Sequence, residues 1–380
     1  MKMNSFHLVP TAVAVALSVH VAEVSAQDTV RIGFAAPLTG ASARAGKDLE
    51  NGAQLAIEEI NAKGLLIGGN KITLLLEAED DLGDPRTATQ VAQKLVDNRV
   101  VAVVGHLNSG TSIPASKIYS DAGIVQISPS ATAPQYTLQG FKTTYRAVST
   151  DAQQGPALAK YAANTLKVRR VAVIDDTTAY GQGLADEFTK EAKALGITIL
   201  SRDATSPNAL DFRGLLTKIK GERPDAMMYG GMDFTVGPFA KQAAQLDIKA
   251  KVLAGDGVCG EQLSNTAGTA TDHIICSEAG LGLEKMPGGA AFDKRFEARF
   301  HTPIQVYAPY AYDSVYVIVD AMKRANSTDP SRILAAMPAT NYDGVIGNVQ
   351  FDQHGDLKNG VISIYQYRSG KKSFVDVVRM

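Results

Sequence analysis

Two short segments of this 380-residue chain combine residue types that bind an anion without a formal positive charge: Gly105-His-Leu-Asn-Ser-Gly-Thr-Ser112 and Ser128-Pro-Ser-Ala-Thr-Ala-Pro134. Each follows a strand-like apolar run directly and leads onward with small hydroxyl residues. Small residues leave backbone N–H groups open, and a helix start adds partial positive charge. Ser109 and Thr132 contribute hydroxyl donors. The combination suits a carboxylate. Taken singly, either segment reads better as a loop with cap residues.

The sequence lacks the usual signatures of catalysis. After the first strand stands Gly33-Phe-Ala-Ala-Pro-Leu-Thr-Gly40 rather than a dinucleotide fingerprint, and no glycine-rich loop ends in Gly-Lys-Ser/Thr. Ser109 sits in Leu107-Asn-Ser-Gly-Thr111, which is not a nucleophile elbow. The acidic run Glu77, Glu79, Asp80, Asp81 and Asp84 has two readings, a metal or carboxylate pair and a solvated strand end that leads into a helix cap; the cap is the expectation. His106, His273, His301 and His354 lack ligand spacing, so neither a metal nor a cofactor is expected.

The elements that must position these residues alternate. Residues 30–36, 71–76, 100–104 and 124–127 read as strands, with helices over 45–63, from Asp84-Pro85 and from about Ser109. After Ser149 the alternation restarts. Asp151 to Gln154 has capping-box spacing before a helix to about Asn164. Strands are expected at 168–174, 197–201, 226–229, 251–254 and 273–276, with a helix at 180–195. Helices near 289–301, 307–325 and 330–337 and strands at 361–367 and 373–379 close the chain. Strands separated by helices imply parallel sheets covered on both faces. The expected fold class is therefore α/β, as two doubly wound parallel-sheet lobes. The helical last third is expected to return over the first lobe.

The first residues address the compartment. Lys2, an apolar run from Leu8 to about Val21 and Val24-Ser25-Ala26 form a secretory signal over residues 1–26, cleaved after Ala26. Pro10, Thr11, Ser18 and His20 interrupt the run, which is short for a membrane anchor. Gln27 stands where a lipid anchor needs Cys, so a free periplasmic protein is expected. Removing 26 of 380 residues leaves 354, which suits two domains. The net charge of −1 carries no basic surplus, so no nucleic-acid partner is expected. In an oxidising compartment Cys259 and Cys276 read as one disulfide, with two buried thiols as the alternative. Closing a loop of about 15 residues contributes about 3 kcal/mol.

A wider set of stretches carries a resemblance. These are Gly40 with Ala56–Gly64, Asp80-Asp81 with Asp84-Pro85, Gly105-His106-Leu107, Pro129 to Pro134 and Gln154-Gly155-Pro156. Tyr180-Gly181-Gln182-Gly183, Tyr229-Gly230-Gly231 and Gly355-Asp356-Leu357-Lys358 complete it. In this order, over nearly the whole chain after residue 26, the sequence resembles the periplasmic leucine/isoleucine/valine-type substrate-binding proteins of ABC transporters. That family has the type I periplasmic-binding fold.

The resemblance implies a ligand site and a mechanism. Ser109 and Thr132, with backbone from Ser130 and Ala131, would hold an α-carboxylate. Asp256 would take the α-ammonium, as a desolvated ammonium needs a negative partner, and Tyr180 would close from the second lobe. Without the family, Asp256 reads as a turn residue before Gly257 and Tyr180 as a packing residue at a helix start. Ala45 and Met232 stand where some members carry aromatic residues, which implies a roomier apolar side-chain pocket for leucine or phenylalanine. Some members also carry a disulfide between the positions of Gly83 and Asn108, which is missing here; Cys259–Cys276 would fix the loop after Asp256 instead. The lobes would be 27–148 with 278–350 and 149–277 with 351–380, joined by a three-crossover hinge. Hinge closure on an amino acid would present a monomer to a membrane permease. A binder or sensor for an amide, urea or aromatic acid, and an exported hydrolase, are the alternatives.

Overall fold

The computed structural model describes residues 1–3, 28–260 and 263–379, so the signal-segment reading lies outside the described residues. Fifteen strands follow in chain order. The first six are β1 (Asp28–Ala36), β2 (Leu65–Ile67), β3 (Asn70–Asp80), β4 (Ala102–Gly105), β5 (Val125–Ser128) and β6 (Thr144–Arg146). Next are β7 (Arg170–Asp175), β8 (Thr198–Ala204), β9 (Ala226–Gly230), β10 (Lys251–Ala254) and β11 (Ile274–Glu278). A short ribbon, β12 (Tyr342–Asp343) with β13 (Asn348–Val349), precedes β14 (Val361–Arg368) and β15 (Lys371–Arg379).

The helices are α1 (Ala43–Lys63), α2 (Pro85–Asp97), α3 (Ser109–Asp121), α4 (Gln135–Leu138), α5 (Asp151–Asn164) and α6 (Ala179–Ala194). They continue with α7 (Arg213–Glu222), α8 (Asp233–Gln245), α9 (Leu263–Ala267), α10 (Gly289–Phe300), α11 (Ala308–Ala325) and α12 (Pro330–Ala336).

The strands form two principal sheets, ordered β2-β3-β1-β4-β5-β6 and β15-β14-β11-β10-β9-β7-β8. In each, chain order reverses beside the first long strand, between β1 and β4 and between β7 and β9. Ligand crevices form at the carboxyl ends of strands at such a reversal. The expectation of parallel sheets needs correction at the edges. β2 is antiparallel to β3 through a tight turn at Gly68-Gly69, and β14 and β15 run antiparallel beside β11. The pairs β2–β3 and β14–β15 are joined by short turns, which impose antiparallel pairing, whereas β14 returns beside β11 only after the helices of the last third and the central strands are joined by helices.

Strand alternation builds the core. Ala172 and Ile174 of β7 face one apolar cluster with Phe212, Tyr229 and Phe239, while Val171 and Val173 face another with Leu184 and Phe188. The last third does return to the first sheet: Phe292, Phe296, Val315 and Ile318 share one cluster with Ile32, Phe34 and Leu49. α1 and α11 approach so closely that a Cβ at Gly52 would lie 2.2 Å from the carbonyl oxygen of Ala308.

Two helix starts test the cap readings. Asp84 caps α2 as expected, its carboxylate accepting from the N–H groups of Arg86 and Thr87. The capping box of α5 lies one residue earlier than its spacing suggests, between Thr150 and Gln153. Asp151 and Gln154 are thereby released for other work.

The chain passes between the sheets three times, after β6, after β11 and before β14. The three passages are stitched side by side. Ser149 N–H donates to Ala279 O at 2.8 Å, and its hydroxyl donates to Val361 O at 2.9 Å. Buried Arg146 donates to Asp356 Oδ1 at 2.6 Å and to the carbonyls of Ala131 and Ala133 at 2.8 and 3.1 Å.

Candidate functional site

The two hydroxyl-rich segments meet at the carboxyl ends of β4 and β5. Ser128 Oγ donates to His106 O at 2.8 Å and accepts from Ala131 N–H at 2.9 Å. Ser130 Oγ donates to Leu107 O at 2.8 Å. Ser109 opens α3 and accepts from Ala133 N–H at 3.1 Å, which leaves its own proton free for another acceptor. The Ala131 N–H is thus engaged inside the protein. Thr132 Oγ1 is buried and has no hydrogen-bond partner among the described residues. Beneath this loop, buried His106 bonds Asp81 at 2.7 Å and Tyr119 at 3.0 Å. Asp81 is therefore a core residue rather than part of a solvated strand end.

The second sheet brings Asp256, which starts a short 3₁₀ turn after β10. Its Oδ1 accepts from Gln154 Nε2 at 2.9 Å and from Tyr180 Oη at 3.0 Å. Its Oδ2 accepts from Tyr307 Oη at 2.8 Å. Gln154 is fixed in turn, its Oε1 accepting from Asp256 N–H at 3.1 Å and Ser277 Oγ at 2.8 Å. Tyr180 also accepts from Gly257 N–H at 3.1 Å. Two glycine motifs set its position. A Cβ at Gly230 would lie 2.1 Å from Gly181 O, so only glycine lets the start of α6 meet the end of β9.

Electrostatics mark this centre. Gln154 Nε2 also donates to Asp151 Oδ1 at 3.2 Å, so one amide bridges two wholly buried carboxyl groups. Burial raises the Asp256 carboxyl, against the pull of the Gln154, Tyr307 and Tyr180 hydrogen bonds. Burial, and then the Asp256 charge, push Asp151 up to about 8. Thr132 faces Asp151 and favours its ionised form, but Thr132 Oγ1 and Asp151 Oδ2 form no hydrogen bond of good geometry.

One narrow cavity is lined by Ser109, Ser130, Tyr180, Met232, Asp256 and Tyr307, among others. A second, larger one continues past Ala45, Met232, Asp256 and Tyr307. Shared walls make the two a single crevice between the sheets. Ala131 and Thr132 follow Ser130 directly in the same loop and are wholly buried. Ser109, Ser130, Tyr180, Asp256, Ala45 and Met232 thus line one crevice, but three neighbours of Asp256 were not expected there. Asp151 and Gln154 read as cap residues, and Tyr307 reads as the start of a helix with nothing local to mark it. Tyr307 is held in place by buried Asp48 of α1, whose carboxylate accepts from the N–H groups of Gln305, Val306, Tyr307 and Ala308.

Cys259 and Cys276 form a disulfide with a Cα–Cα distance of 5.6 Å. Because Cys276 pairs with Ala254 across the β10–β11 ladder, the bond pins the turn that carries Asp256 to the neighbouring strand. Among the described residues no cluster of three or more His, Cys, Asp or Glu side chains is placed to hold a metal ion.

Comparison with known proteins gives a consistent result. The sequence pattern described as "Periplasmic binding protein" matches residues 29–372. A Leu/Ile/Val-binding protein homologue of Brucella suis is 35% identical over 347 residues, covering 91% of this chain and 92% of the relative. The leucine-, isoleucine-, valine-, threonine- and alanine-binding protein of Pseudomonas aeruginosa is 32% identical and covers 97% of each chain. Among solved structures, the leucine-binding protein LivK of Thermotoga maritima superposes with a TM-score of 0.85 at 25% identity, over 92% of this chain and 98% of that one. The branched-chain amino acid transporter binding protein LivJ of Streptococcus pneumoniae, solved with isoleucine, also gives 0.85 at 27% identity, over 93% and 100%. With its two α/β lobes and threefold crossing between them, the chain belongs to the periplasmic binding protein family.

Proposed function

We propose that this chain is the exported, monomeric substrate-binding component of an ABC importer, and that it captures an α-amino acid by closing two lobes around it. The carrying observation is the buried Asp256 carboxylate. Among the described residues it is held by three neutral donors and no cation, with the free hydroxyl protons of Ser109 and Thr132 supplied by the other sheet. A zwitterion completes both ends. Its ammonium compensates Asp256, and its carboxylate accepts from Ser109 and Thr132 beside the start of α3. The Leu/Ile/Val-binding relatives support an aliphatic side chain, which would pass between Ala45, Met232 and Val306. Small Ala45 leaves room for leucine or phenylalanine.

The lobes in this reading comprise 27–148 with 278–350 and 149–277 with 351–380. They move about the three stitched passages, and the closed form docks on a membrane permease. No residue makes or breaks a bond. The signal segment directs export and is removed after Ala26.

The test is calorimetric titration of leucine, isoleucine, valine and phenylalanine into protein stripped of ligand by unfolding and refolding. Asp256→Asn is expected to lower affinity at least about 30-fold, or about 2 kcal/mol, because the ammonium then lacks its charged partner. Undiminished binding by a folded Asp256→Asn protein rules out the head-group assignment.

A further inference from the structure

The far end of the crevice is not apolar. Beyond Ala45 and Met232 the larger cavity is walled by Ser42, Arg44, Asp233 and Gln305. Arg44 and Ser42 belong to the start of α1 beside the first sheet. Asp233 is the first residue of α8 beside the second. A Cβ built at Gly260 would lie 3.9 Å from both Asp233 Oδ2 and Gln305 Oε1, so these two acceptor oxygens converge on one stretch of wall from opposite sides of the crevice. Arg44 is exposed and close enough to Asp233 to stabilise its charge, without forming an ion pair at contact distance.

From this juxtaposition we propose that the crevice accepts, beside leucine, an amino acid whose side chain is an aliphatic stem ending in a carboxamide, with glutamine as the type ligand. The inference rests on the head-group assignment above and adds the side-chain terminus. Met232, Ala45 and Val306 contact the stem. The carboxamide NH₂ donates to Asp233 and Gln305, and its carbonyl oxygen accepts from Arg44.

Charge balance separates the alternatives. Arg44 and Asp233 sum to zero, so a neutral group carrying both a donor and an acceptor satisfies both. A lysine ammonium would face Arg44, and a glutamate carboxylate would face Asp233. Burial pushes the Asp233 carboxyl up to about 6, with the α8 N–H groups and Arg44 pulling it down, so at neutral pH it remains an acceptor.

The experiment is calorimetric titration of stripped wild-type protein and of the R44A/D233A double variant with L-glutamine, L-leucine, L-glutamate and L-lysine. For the wild type, glutamine is expected to bind within tenfold of leucine or more tightly, and more tightly than glutamate or lysine. In the variant, the ratio of glutamine to leucine affinity is expected to fall at least tenfold. Leucine binding with glutamine weaker by more than tenfold, glutamate or lysine outcompeting glutamine, or an unchanged ratio in the variant overturns the carboxamide assignment and leaves the head-group reading standing. If neither leucine nor glutamine binds the wild type, the head-group reading falls and this inference falls with it.

Discussion

Asp151 and Asp256 share the amide of one glutamine in a water-excluded pocket, and this makes their protonation a functional variable. Arg146 and Thr132 pull Asp151 toward its ionised form, while burial and Asp256 oppose them and prevail. The folded value of about 8 lies above the unfolded value near 4. The stability this group contributes to the ligand-free fold is therefore complete below about pH 4 and lost as pH rises through about 8. A bound ammonium favours the ionised carboxylate, so binding at neutral pH should expel a proton. Apparent affinity is expected to rise with pH between about 6 and 8, by up to tenfold per unit. Titrations in buffers of different ionisation enthalpy would count the released proton, and Asp151→Asn should flatten the pH profile. Equal apparent enthalpies in all buffers would sink this expectation.

At this scale the sequence was partly legible. Ser109 and Thr132 stood out because their type and setting suit a carboxylate, and Asp256 and Tyr180 through the family resemblance. Tyr307 was illegible because its role comes from Asp48, more than 250 residues away. Asp151 and Gln154 were hidden by a plausible local role that in fact belongs to Thr150 and Gln153.

Among the elements, the turn carrying Asp256 has the least regular structure of its own and depends on its tether. Cys259 lies three residues after Asp256 and is bonded across to β11 at a sequence separation of 17. Chain entropy assigns such a loop about 3 kcal/mol. Cys259→Ser with Cys276→Ser, or reduction of the native protein, is expected to lower the thermal midpoint and to weaken amino-acid binding. Thermal unfolding and titration on oxidised and reduced samples would measure both. An unchanged midpoint would mean that the tether adds nothing.

The central strands and most helices were legible from periodicity. β2 and β6 were not, because each is only three residues long and offers too little alternation to read. The antiparallel edges escaped for a related reason. Strand direction is set by the length of the connection, and a two-glycine turn between short apolar runs reads as a break before it reads as a hairpin.

For the whole molecule, the three passages between the sheets decide how it moves. Hydrogen bonds from Ser149 to Ala279 and Val361 tie them into one narrow band. Each lobe keeps its own apolar clusters, so the band is where rigid bodies can turn. Arg146 binds the carbonyls of Ala131 and Ala133 and also Asp356, so the loop after β5 is fastened directly to the band. Small-angle scattering of stripped protein is expected to show a smaller radius of gyration when saturating leucine is added. An unchanged radius despite calorimetric binding would exclude closure as the response.

Asp48 also bears on how the chain is made. Its carboxylate is buried in the first lobe, yet the four amides that satisfy it arrive about 257 residues later. α1 packs on β1 and β3, but its face toward α11 stays uncovered until α11 has been synthesised. During translation the first half therefore carries an unsatisfied carboxylate and an open apolar face, and its core stays incomplete until the last third emerges. A circular permutant that begins at residue 289 would place α10 to α12 ahead of α1 and is expected to let the first lobe close before the second is made, as earlier protease resistance of stalled nascent chains would show.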